Sequence, residues 1–197
     1  MIGRIERMAK QVSADGYVFD FGEDVVDAFL FDSPEHHGGL KSMKAVDIIA
    51  EFPNEYLYIE LKKYDPARGG IEFRCPLWDD KALIRSHCPL NSNEVKRDKA
   101  SVKRVASDLR RKYCDTFLFR YAEGKVEKMV NYVCVVEGCD TAQTLRLHDI
   151  MKQAMPAGIP NGSQWTRPVV KNVAVVNVAM WNAVPQLNRY GRCALAG

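Results

Sequence analysis

The chain has 197 residues, 47% of them apolar and 27% charged. This suits one folded domain with a sizeable core and excludes disorder over most of the length. A net charge of +3 says little about partners, so the distribution of the bases matters more. No run approaches the roughly 18 apolar residues that a membrane helix needs, and the charged stretch from Met1 to Arg7 lacks an apolar signal region. Cys75, Cys88, Cys114, Cys134, Cys139 and Cys193 form no CxxC pair. Reduced thiols in a cytoplasmic protein are therefore expected, with a zinc site of Cys75, His87 and Cys88 as the lesser alternative.

In chain order, Ile5, Met8 and Val12 predict a short helix over residues 3–12. Residues 17–31 are rich in Val, Phe and Leu and fit either helix or strand. The Pro and Gly content of residues 33–39 predicts a loop, with His36 and His37 exposed in it. Residues 45–52 and 56–63 read as the arms of a β-hairpin, with the turn at Pro53, Asn54 and Glu55. Residues 64–91 carry four prolines and glycines early and Pro89 late, without a sustained period, and read as an irregular insertion. Asn91 and Glu94 form a capping-box pattern that predicts the start of a long helix. Its apolar face is expected to use Val102, Ala106, Leu109, Tyr113, Phe117 and Tyr121, ending near Gly124, with a strand over residues 117–121 as the alternative. A buried strand over 130–136, a helix over 142–154, a loop over 156–168 and a β-branched strand over 169–180 follow. The tail after Trp181 shows little pattern. The expected architecture is a single α/β domain over residues 1–197, a mixed β-sheet flanked by helices.

The hairpin carries the chemistry. Side chains alternate faces along a strand. Val46, Ile48, Ala50 and Phe52 should thus bury together with Leu57, Ile59 and Leu61. This register puts Asp47, Glu60 and Lys62 on the other face, and a tight turn sets Asp47 directly across from Glu60. A turn two residues longer sets it across from Lys62. Facing side chains start roughly 5 Å apart at Cβ, so two carboxylates and an amine can converge on one point. Two close carboxylates repel unless a cation offsets them, and Mg²⁺ or Mn²⁺ prefers such oxygen donors. A metal there can polarise a phosphate and acidify water, with Lys62 beside it to orient the nucleophile or stabilise developing charge.

Asp47, twelve intervening residues and then Glu60-Leu61-Lys62 resemble the PD-(D/E)xK signature of restriction-endonuclease-like nucleases. The resemblance covers residues 44–63; the following basic helix and later strands agree in order. It implies a restriction-endonuclease-like core, metal bound by Asp47 and Glu60, and Lys62 assisting the attacking water. Val46 stands where the name-giving motif has proline, a position that many members vary. Many members also use a glutamate on the first helix, a place open to Glu6 with Glu23 as rival. The competing reading of the three residues is a solvated hairpin face with a surface ion pair.

Between residues 96 and 112 the bases are dense. Lys96, Lys99, Lys103 and Arg110 fall along one side of the expected helix, with Arg97, Arg104 and Arg111 on a neighbouring one. Lys112 closes the run. Lys96, Lys99, Lys103, Arg104 and Arg110 are the candidate contacts to a DNA backbone, and a solvated helix face is the alternative. Trp78, Trp165 and Trp181 are expected to pack rather than stack on bases. The function so implied is a metal-dependent DNA phosphodiesterase, with a homodimer or partner subunit among its possible assemblies. The alternatives are a non-catalytic nucleic-acid- or partner-binding module of nuclease-like fold, and a nuclease subunit activated by a partner in a defence or mobile-element system.

Overall fold

A computed structural model describes residues 10–63, 71–72 and 100–196. In chain order its strands and helices begin with β1 (Gln11–Ala14), β2 (Tyr17–Phe21), β3 (Asp27–Leu30), β4 (Ile48–Glu51), β5 (Glu55–Lys63), β6 (Ile71–Glu72) and β7 (Ala100–Ser101). They continue with α1 (Val102–Ala122), β8 (Met129–Glu137), α2 (Thr141–Ala154), β9 (Asn172–Val176), α3 (Val178–Ala183), α4 (Pro185–Asn188) and β10 (Gly191–Leu195).

A five-stranded sheet of order β3-β4-β5-β8-β9 forms the centre. Its first three strands are antiparallel, and β5, β8 and β9 are parallel. Parallel neighbours need long crossovers; α1 lies in the one from β5 to β8, and α2 in the one from β8 to β9. Alternation then splits the core in two. Tyr56 and Tyr58 of β5 and Val130, Tyr132, Cys134 and Val136 of β8 pack beneath Leu109 and Tyr113 of α1 and Leu147 and Met151 of α2. Leu57, Ile59 and Leu61, with Val133 and Val135, face the other way. There they meet a three-stranded antiparallel sheet of order β1-β2-β10, together with Trp181 and Leu187 of the short helices. Both faces of the hairpin are therefore covered, so the solvated-face reading fails for Asp47 and Glu60, which are buried.

Several expected elements differ. Residues 11 and 12 lie in a strand rather than a helix, because Val12 and Ala14 alternate into the second core. Asp15 and Gly16, at φ of 48° and 80°, make the two-residue turn into β2. Residues 17–31 are thus strand, turn and strand. The pairing of β6 with β7 places strand at Ala100 and Ser101, so a helix does not run unbroken from Asn91. Asn91 and Glu94 lie outside the described residues, as does most of the stretch expected to be an insertion. Helix α1 ends in a Schellman motif: Lys125 N–H donates to the Arg120 carbonyl, and Gly124, at φ 72°, donates to that of Tyr121. Its buried stripe drifts to Thr116 and Arg120, leaving Tyr121 exposed.

The last expected strand stops at Val176, where the Asn177 side chain accepts from Met180 N–H and caps α3. The tail then returns as β10 along β2. Trp181 is buried as expected, with its indole donating to the Gly191 carbonyl, whereas Trp165 is exposed. His36 is exposed as expected, but His37 is buried, its ring 5.7 Å from that of Phe31 and 5.3 Å from that of Phe119. Trp78, Cys75, Cys88 and His87 lie outside the described residues. Among the described residues, no helix is long and apolar enough to cross a membrane.

Candidate active site

The hairpin sets the site. Phe52 N–H donates to the Glu55 carbonyl at 2.9 Å, which closes a two-residue loop of Pro53 and Asn54. The register is the tight-turn one, with Ile48 opposite Ile59 and Ala50 opposite Leu57. The ladder stops at Ile48, however, and Asp47 is not a direct cross-strand partner of Glu60. Asp47 N–H donates at 3.0 Å to the carbonyl of Ile59, the residue already opposite Ile48. Two residues thus face one, as in a β-bulge, a device that re-aims a side chain. The expected alternation breaks here, and Val46 packs into the core beneath α1 instead of beside Ile48.

Helix α1 holds the segment before the bulge. Lys44 N–H donates to Asp115 Oδ2 and Val46 N–H to Thr116 Oγ1, both at 2.9 Å. The Asp47 side chain completes the clamp by accepting from Leu61 N–H at 2.6 Å. Its other oxygen, Oδ1, faces the α1 layer, 3.4 Å from Lys112 Nζ. Two tyrosines tether the helix that carries Lys112. Tyr132 donates to the Leu109 carbonyl at 2.9 Å, and Tyr113 to that of Val169 at 2.6 Å.

Glu60 lies on the α1 side of β5, beside Cys134 of β8, and is fully buried. Its Oε1 sits 2.6 Å from Lys62 Nζ and 2.7 Å from Lys112 Nζ. Both ammoniums crowd Oε1, and among the described residues Oε2 has no hydrogen-bond partner. The structure therefore brings Asp47, Glu60 and Lys62 together and adds Lys112. Burial, then repulsion from Asp47, pushes the Glu60 carboxyl up to about 7 against the pull of the two lysines. Burial also raises Asp47, opposed by Lys112 and the Leu61 amide. For Lys112, burial works against the charge, but Glu60 and Asp47 outweigh it and hold the ammonium above its ordinary range.

Lys112 was hidden among the surface bases of its run. Its position gives the clue: it follows Leu109 by three residues and precedes Thr116 by four, so it shares their inward face. Arg104 and Arg110 project outward and are exposed. Lys103 falls in the first turn of α1, while Lys96, Lys99 and Arg97 lie outside the described residues.

Asp47 and Glu60 offer hard oxygen donors around one cationic position, and Oε2 of Glu60, with no hydrogen-bond partner among the described residues, is open to a cation. This suits magnesium or manganese, which commonly take one or two carboxylates and fill their shells with water and phosphate oxygens. Among the described residues, no third His, Cys, Asp or Glu completes a metal-binding group; Glu23 is exposed in the turn after β2, and Glu6 is not described. Comparison of the chain with protein-family models, with curated proteins and with solved structures finds no match.

Proposed function

We propose that the chain is a metal-dependent nuclease that hydrolyses DNA phosphodiester bonds, built on a restriction-endonuclease-like core. The observation that carries this reading is the paired burial of Asp47 and Glu60 beneath α1, with two lysine ammoniums drawn to their oxygens. Burying two acids side by side is costly, and groups perturbed in this way cluster at functional sites. The order of the central sheet, an antiparallel meander continued by parallel strands through helical crossovers, supports the core assignment.

In this reading Asp47 Oδ1 and Glu60 hold Mg²⁺ or Mn²⁺. The metal, when bound, supplies Lewis acidity toward a phosphate oxygen and a nucleophilic water at neutral pH. Lys62, at the more open side of the site, steadies the attacking water and the charge that builds on the phosphate. The bulge and the Leu61 amide fix Asp47, while burial keeps bulk water from Glu60. Arg104 and Arg110 on the outer side of α1 meet the DNA backbone.

A second reading, a binding module without catalysis, is favoured by one feature: Lys62 and Lys112 already neutralise the two acids. Supercoiled plasmid, linear duplex and single-stranded DNA incubated with Mg²⁺, Mn²⁺ or EDTA separate the two. Cutting that needs metal and disappears in Asp47→Ala is the expected result. Intact DNA under every condition, with no heat of metal binding, would leave the binding module.

A further inference from the structure

We infer that Lys112 is a displaceable counter-ion of this site: divalent metal loads by expelling its ammonium from between Asp47 and Glu60, and an incoming phosphodiester receives it. Metal and nucleic acid would then load cooperatively. The inference rests on the metal-dependent reading given above.

Three observations carry it. First, Lys112 Nζ contacts Glu60 Oε1 at 2.7 Å and Asp47 Oδ1 at 3.4 Å, so it stands in the gap that a shared cation needs. Two cations in one gap repel strongly where water is scarce, so one has to leave. Second, the ammonium leaves part of the pair unserved: it reaches Oε1 of Glu60, while Oε2 is buried and, among the described residues, has no hydrogen-bond partner. A divalent ion brings twice the charge to the same oxygens. Third, Lys112 has somewhere to go. Its side chain is 15% exposed on a flexible four-carbon stem, so the ammonium can turn toward the opening of the site. A phosphate that enters there offers the displaced ammonium a new anion. Linkage then requires that phosphate tighten metal binding by the factor with which metal tightens phosphate binding.

Lys62 does not play this part. Among the described residues its ion pair is with Glu60, and it lies nearer solvent, at 31% exposure, so a cation between the acids does not need its place.

The test is calorimetric titration of Mn²⁺ into the full chain, with no turnover required. Wild type, Lys112→Met, Lys112→Gln and Lys112→Met combined with Asp47→Asn are compared, each checked for cooperative melting. A phosphorothioate duplex, which resists cutting, serves as the phosphodiester probe. Lys112→Met and Lys112→Gln should bind Mn²⁺ more tightly than wild type, by roughly 5- to 150-fold, the usual span of coupling between sites. Added Asp47→Asn should remove that binding. The duplex should tighten Mn²⁺ binding in wild type far more than in either Lys112 variant. Asp47-dependent binding that is no tighter in both Lys112 variants would overturn the displacement and leave the metal site standing. A duplex effect equal in all forms would overturn the coupling. No Asp47-dependent Mn²⁺ binding in any form would overturn the metal reading itself, and this inference with it.

Discussion

Asp47 Oδ2 accepts the Leu61 N–H at 2.6 Å, in the place where a continued ladder would present the Val46 carbonyl. The side chain thus ends the strand pairing and turns its other oxygen toward Lys112. Asp47→Ala should leave the Leu61 amide buried without a partner, which costs about 1–3 kcal/mol. Asp47→Asn keeps an acceptor and should melt closer to wild type. Chemical denaturation of the two variants checks the order. Equal stability of both would show that the hydrogen bond is not what fixes the bulge.

The acid pair predicts an unusual pH dependence. The Glu60 carboxyl is lifted from 4.5 to about 7, and Asp47 is also lifted. Between those values the folded chain binds more protons than the unfolded one, so stability falls as pH rises through this window. Every tenfold gain in a carboxyl's proton affinity on folding corresponds to about 1.4 kcal/mol. Lys112 acts elsewhere: its raised affinity for protons contributes stability that is lost only at strongly alkaline pH. Metal-free protein should therefore resist urea better at pH 5 than at pH 8 by the share of this site, and Glu60→Gln should flatten that difference. An unchanged slope in Glu60→Gln would place its origin elsewhere.

Binding to DNA should carry the signature of the outer face of α1. Arg104→Ala with Arg110→Ala is expected to weaken binding of a duplex and to reduce the salt slope by about 2, close to 0.9 for each lost phosphate contact. Fluorescence anisotropy over a salt series measures both. A slope equal to that of wild type would remove these arginines from the interface.

The C-terminal strand makes its own demand. Gly191 sits at φ 127°, and a methyl group on its Cα would lie only 2.1 Å from the Asp20 carbonyl oxygen across the sheet. Gly191→Ala must push β10 from β2 or strain the backbone, a loss of about 3 kcal/mol or more. A melting curve matching wild type would mean that β10 contributes little to the fold.

Physical reasons decide which of these features a bare sequence displays. The β4–β5 register was readable because Ile48 and Ala50, with Leu57 and Ile59, leave a single way to bury one face. The bulge was not, since it depends on Thr116 and Asp115 of a helix some seventy residues away competing for the amides of Val46 and Lys44. The Asp15-Gly16 turn between Val12-Ser13-Ala14 and Tyr17-Val18-Phe19 carried a strong hairpin signal that the neighbouring helical spacing obscured. β10 has only Cys193 buried along its length, so its pairing with β2 is set by tertiary contact rather than by its own pattern. Lys112 carries the same lesson into the site. A lysine in a basic run looks like surface until the two acids that draw it inward are known to lie beneath its helix.

The most direct measurement is the rate of plasmid nicking in Mg²⁺ by wild type and by Lys62→Met, with folding matched by melting curves. Among the described residues Lys62 pairs with Glu60, and it sits at the open side of the site, so its loss should spare the fold. The account predicts Mg²⁺-dependent nicking by wild type and a loss of about 100-fold or more in the variant. Equal rates, or a wild type that leaves the plasmid intact with metal bound, would contradict it.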